Sequence, residues 1–119
     1  MDESILNSIK KLLGIAEDYK AFDTDIIIHI NTYFGVLNQL GVGVEGFSIE
    51  DDTATWGEFL EGSEVTLNEA KTYIYLRVRQ VFDPPESSIL SAAFDKQIDE
   101  LGWRMMEKVA LAEIINSEA

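Results

Sequence analysis

The stretch Thr66-Leu67-Asn68-Glu69-Ala70-Lys71-Thr72-Tyr73-Ile74-Tyr75-Leu76-Arg77-Val78-Arg79-Gln80-Val81-Phe82-Asp83-Pro84-Pro85 reads as one capped helix with a hard stop. Thr66 with Glu69 three positions later makes a capping box, in which each side chain satisfies a backbone N–H at the helix start. Leu67, Ala70, Ile74, Val78 and Val81 then recur at three- and four-residue steps, the spacing of a helical face. Pro84 and Pro85 end the run, because proline lacks the amide donor and disfavours helical geometry in the residue before it. The segment also carries Tyr73, Tyr75, Leu76 and Phe82 off that stripe. A helix apolar nearly all round is buried on two sides, so this one is central, and its second side meets either the middle of the core or another subunit. Arg77 and Arg79 lie in the same helix. Either they snorkel to solvent, or they pair with an acidic neighbour across a lateral subunit interface made by Tyr73, Tyr75, Arg77 and Arg79.

Working outward, residues 4–13 place Ile5, Leu6, Ile9, Leu12 and Leu13 on one stripe, with Gly14 available for a left-handed C-cap. Asp23 or Thr24 can cap a second helix in which Ile26, Ile30, Tyr33, Leu37 and Leu40 recur, ended by Gly41 and Gly43. Its β-branched run Ile26-Ile27-Ile28 argues for a strand, but the sustained stripe outweighs it. Between residues 41 and 65 the pattern breaks into a glycine-rich loop. It holds a short extended piece at Phe47-Ser48-Ile49, the acidic turn Glu50-Asp51-Asp52 and a short helix over residues 54–60. After the prolines, Ser87 or Ser88 caps a last long helix with Leu90, Phe94, Ile98, Leu101 and Met105 as its core stripe. The expected fold is all-α: a small helical domain of about four main helices over residues 1–106, with an acidic loop-rich insertion, and a C-terminal arm over residues 107–119.

The last helix has an anomaly. Trp103 sits about 200° from Leu101 on the helical wheel, opposite the core stripe. Met106, Ala110 and Ile114 continue its side, while Val109, Leu111 and Ile115 also lack a core position. Either the tryptophan covers a neighbouring loop, or Trp103, Met106, Val109, Leu111, Ile114 and Ile115 dock on a partner chain.

Twenty-two acidic against nine basic residues leave a formal charge of −13, which opposes binding to phosphate backbones. No basic residue occurs in residues 21–70, where ten acidic ones stand. That face is a solvated surface, a wall that does not hold nucleic acid, or a surface for a basic partner. The chain has no cysteine, so thiolate chemistry and cysteine-ligated zinc or iron–sulfur sites are excluded. A calcium loop begun at Glu50 fails, because Thr55 stands where the turn needs glycine. His29 lacks any accompanying nucleophile motif, and no phosphate-binding or dinucleotide glycine pattern occurs. No catalytic, metal or cofactor set is expected. The start, Met1-Asp2-Glu3, is not a secretory leader, and no run approaches the ~20 apolar residues of a membrane span, so a soluble protein without a membrane partner is expected.

The segment from Tyr73 to Ser88, with its Phe82-Asp83-Pro84-Pro85 core, followed by Glu100-Leu101-Gly102-Trp103-Arg104, resembles the head–tail connector (adaptor) family of tailed bacteriophages. The upstream order of a short helix, a second helix ending Leu37-Asn38-Gln39-Leu40-Gly41, a glycine-rich loop and the Trp56 segment fits as well, so the resemblance spans nearly the whole chain. It implies a homo-oligomeric ring, commonly of twelve subunits, under the portal protein. Such a ring extends the channel for double-stranded DNA without specific binding, helps retain packaged DNA, and presents a docking surface for downstream connector or tail proteins. It further implies that the C-terminal segment reaches portal, and a location in the virion after assembly in the host cytoplasm. The competing reading from another class is a soluble acidic regulatory or DNA-mimic protein; a hydrolase using His29 is remote.

Overall fold

The computed structural model describes residues 3–118; Met1 and Asp2 of the acidic start, and Ala119 at the end of the arm, lie outside the described residues. Five helices follow in order: α1 (Ile5–Leu12), α2 (Asp23–Gln39), the single turn α3 (Trp56–Phe59), α4 (Leu67–Phe82) and α5 (Ser88–Glu118). The all-α expectation holds, with four long helices and one short one. The body is a slab of 49 × 35 × 19 Å in which α4 packs against α1, α2 and α5.

The N-caps expected at Thr66 and Ser87 are in place, the one expected at Asp23 or Thr24 is not, and Ser4 and Thr55 supply two more. Ser4 Oγ accepts from the Asn7 amide at the head of α1. Thr66 and Glu69 complete both halves of their box on α4, while Ser87 Oγ accepts from the Leu90 amide at the start of α5. Helix α2 starts without a side-chain cap at Phe22, although Asp23 and Asp25 lie in its first turn and favour the positive end of its dipole. The link from α1 to α2 is fastened by the fully buried Lys10. Its ammonium donates to the carbonyls of Glu17 (3.1 Å) and Tyr19 (2.7 Å) and pairs with Asp23 (2.7 Å). A buried charge persists only when its donors are satisfied in this way.

The insertion over residues 41–65 departs most from expectation. Phe47-Ser48-Ile49 forms no strand; among the described residues the one β-bridge joins Ser4 to Thr55. The loop is held instead by two asparagines of α2. Asn31 donates to the Ile49 carbonyl (2.9 Å) and accepts from the Ile49 amide (2.8 Å). Asn38 donates to Val42 (3.0 Å) and Val44 (3.2 Å) and accepts from Gly46 (3.0 Å). Thr55 and Glu58 form a second capping box, which launches α3. So anchored, the loop delivers Val42, Ile49, Trp56, Phe59, Leu60 and Val65 to the core, where Phe34 stacks on Phe59 at 4.2 Å between centroids. Gly43 is required there: its φ is +82°, and a methyl group would collide with the Phe59 ring.

Helices α4 and α5 form an antiparallel hairpin around the proline turn. Phe94, Ile98 and Met105 are buried as the stripe requires, with Leu101 partly so. Val81 and Leu90, expected in the core, are exposed: they lie in the last turn of α4 and the first turn of α5, beside the prolines, where there is no further helical turn to pack on. Leu12 is exposed for the same reason at the end of α1. Tyr33 gives its central place on α2 to the fully buried Phe34.

Candidate interaction surface

Two helices of unequal length make the hairpin. Helix α4 has 16 residues and α5 has 31, spans of about 24 and 46 Å at the helical rise. Their register is fixed at three levels. Gln80 donates to Asp95 (2.6 Å), Gly102 faces Tyr73, and the Lys108 ammonium donates to Glu69 (2.6 Å). One residue later Val109 packs on Gly41, close enough that a methyl group on that glycine would stand 2.8 Å from Val109 Cγ1. There α4 has reached its cap, and α5 continues without it.

Beyond that point the apolar side of α5 changes. Up to Met105 it faces the body. Past it, Met106, Ala110, Leu111, Ile114 and Ile115 fall on the half of the wheel away from Met105, each roughly 80° or more from it. Leu111, Ile114 and Ile115 are all more than half exposed. They divide into two flanks. Ile114 continues the side of Trp103 and Met106, whereas Leu111 and Ile115 lie about 60° and 100° further round, against a shallow cleft with Glu64 and Lys108. Val109 is turned inward and belongs to the body.

The residues expected at a lateral interface separate into two pairs on opposite sides of α4, about 200° apart. Tyr75 and Arg79 form one: Arg79 donates to the Tyr75 hydroxyl (3.0 Å) and lies over the Phe94 ring, fastening α4 to α5. Tyr73 and Arg77 form the other. Arg77 donates through Nε and Nη2 to the Tyr73 hydroxyl (3.2 and 3.1 Å), and its guanidinium stands 5.4 Å from the Tyr33 ring centroid. Neither arginine has a carboxylate within ion-pair distance among the described residues, although acidic groups outnumber basic ones more than two to one.

The Tyr73–Arg77 pair opens into a groove of about 310 Å³. Val36 and Leu40 of α2 form one wall, and Ile98, Trp103 and Met106 of α5 the other, with Gly102 at the floor. Trp103 is 60% exposed. The groove therefore unites two sets of residues that the sequence suggested separately, Tyr73 with Arg77 and Trp103 with Met106. It also adds Val36, Leu40 and Gly102. Their signal was present in the three-residue step from Tyr33 to Val36 and in a glycine placed within a helix.

Burial raises the Glu69 carboxyl, but the Lys108 hydrogen bond and those from Thr66 outweigh it and hold the group below its ordinary value. The Thr53 hydroxyl and amide likewise lower the exposed Asp51 in the acidic turn. His29 is half-buried on α2. Among the described residues no group of His, Asp and Glu is placed to hold a metal ion, and no helix is long and apolar enough to cross a membrane.

The family model described as phage connector protein matches residues 5–110, from the first residue of α1 to the point where α5 leaves the body. The chain belongs to this family of phage connector proteins. Comparison with curated proteins and with solved structures finds no match. The matched span takes in the whole groove and both tyrosine–arginine pairs. Membership carries a structural role at the head–tail interface of the virion, in assembly with portal or tail proteins.

Proposed function

We propose that the protein is an adaptor subunit that assembles as a ring under the portal, extends the DNA channel, helps retain packaged DNA and offers a docking surface to further connector or tail proteins. Twelve subunits is the count the family resemblance implies. The observation that carries the reading is the change of side of the apolar stripe on α5: past Met105 a regular helix presents its apolar half away from its own body. Such a face is completed by another chain. In this reading the adaptor body runs to Val109, three residues past the boundary at 106 that the sequence suggests, because Lys108 and Val109 still pack on it, and the arm follows. Trp103, Met106, Leu111, Ile114 and Ile115 dock on portal or a neighbour, with the inward Val109 at their root; Arg77 and Arg79, braced by the buried Tyr73 and the half-buried Tyr75, serve the lateral contacts. The acidic surface keeps double-stranded DNA sliding rather than bound. The chain assembles in the host cytoplasm, uses no cofactor and performs no catalysis.

Electron microscopy of the purified protein mixed with its cognate portal tests this. Rings seated on portal are expected. A chain that stays monomeric or dimeric with portal present favours the acidic regulatory or DNA-mimic reading instead. His29→Ala should leave assembly intact; loss of assembly by a folded variant would give the histidine a role.

A further inference from the structure

Resting on the ring reading, we infer that the groove beside Tyr73 and Arg77 receives the Ile114 flank of the C-terminal arm of a second copy of this chain, joining subunits head to tail.

Three observations converge on that occupant. First, the groove is apolar with a cation at its edge. Arg77 is pinned by the Tyr73 hydroxyl and has no carboxylate within ion-pair distance among the described residues; Asp99 stands on the same rim, outside that distance. The arm offers the complement, exposed Ile114 beside the exposed carboxylate of Glu113. An apolar anchor next to a charge that meets a pre-positioned guanidinium is the pattern of an interface hot spot.

Second, the floor is kept open at a cost. Glycine inside a helix is about 1 kcal/mol less favourable than alanine, yet a methyl group on Gly102 would meet Tyr73 only at 3.8 Å, an ordinary contact. The fold does not need glycine there. What its absent side chain preserves is the depth of the groove between Tyr73 and Trp103.

Third, the chain does not fill its own groove. Trp103 forms the wall, and Ile114 lies eleven residues further along the same helix, about 16 Å away along its axis. The arm points out of the body, so only another copy can bring an Ile114 to this site. Groove and arm are different patches, and contacts between different patches are heterologous, closing into rings when the rotation permits. The Leu111–Ile115 flank stays free for a different contact.

The absence of native cysteine makes this testable. Val36→Cys places a thiol in the groove wall and Ile114→Cys one on the arm; within a chain they are beyond the ~7 Å Cα separation that a disulfide spans. Under mild oxidation of rings, alone or on portal, the double variant should give a ladder of linked multimers on a non-reducing denaturing gel, and each single variant only monomers. Trp103→Ala should raise the concentration needed for ring formation roughly thirtyfold, the equivalent of a lost hot spot. Rings that form without cross-links, or cross-linking that stops at dimers, overturn the inference while leaving the connector reading standing. Absence of rings both alone and on portal overturns both.

Discussion

The loop over residues 41–65 and the arm beyond residue 109 invert what their sequences suggest. The loop is acidic, glycine-rich and irregular apart from the single turn α3, yet through that turn it supplies Trp56 and Phe59 to the core, both fully buried. The arm is regular helix, yet Ile114 and Ile115 are both more than half exposed, and only the Ile115 flank borders a shallow cleft with the body. What separates them is anchorage. Asn31 and Asn38 take up the loop's backbone groups, so its apolar side chains are held where they can pack. The arm satisfies its own backbone as a helix and is not drawn to the body by hydrogen bonding, so only side-chain contacts can dock it. Helix regularity reports on the backbone and says nothing about whether a face is covered.

If this contrast is right, the largest effects come from the loop. Trp56→Ala should cost about 3–5 kcal/mol by chemical denaturation, because it leaves a cavity under Phe34 and Phe59. It also removes the indole N–H that donates to the buried Ser8 hydroxyl at 2.8 Å. A loss below ~1 kcal/mol would mean that the loop is no part of the core. Asn31→Ala should cost about 1–3 kcal/mol, since it strands both the amide and the carbonyl of Ile49. Hydrogen exchange at Ile49 should rise in this variant while exchange in α4 stays slow.

The sequence exposed the helices because caps and stripes are local: Thr66 with Glu69, Ser87, and the proline stop all act within a few residues of where they are read. The capping box of Thr55 and Glu58 was equally local and was not recognised, which left α3 without its start signal. The role of Asn31 was out of reach in another way, for its partner is 18 residues away and nothing in an asparagine's neighbours announces it. The candidate surface was half legible. Trp103 stood out by its place on the wheel, and Tyr73 and Arg77 by their excess over one core stripe. Their meeting in one groove depends on the hairpin register. That Tyr75 and Arg79 point the other way follows from the wheel alone.

Truncation sharpens the comparison from the arm's side. Among the described residues, removing 110–119 deletes no side chain of the core and should shift stability by no more than about 0.5 kcal/mol. Removing residues 107–119 also takes Lys108 and Val109 and should cost about 1 kcal/mol more. Both should leave a folded monomer by circular dichroism, and both should fail to join portal-containing heads. A 110–119 deletion that completes heads normally places the essential contact back on Tyr73 and Arg77.

The smallest effect concerns the joint where body and arm meet. The Glu69 carboxylate is held below its ordinary value of 4.5 in the folded chain. It therefore contributes stability that is fully present above that value and is lost as pH falls through the lowered folded value. Because Lys108 is 41% exposed, the contribution is modest, below about 1 kcal/mol. Glu69 is also half of the α4 capping box, so Glu69→Gln, which can still accept from the Thr66 amide, isolates the ion pair from the cap. The variant should be slightly less stable than the parent at pH 7, and the gap should close as the pH is lowered well below 4.5. If the gap stays constant across that range, the lost interaction is the neutral cap, and the arm's root is held by Val109 on Gly41 without help from charge.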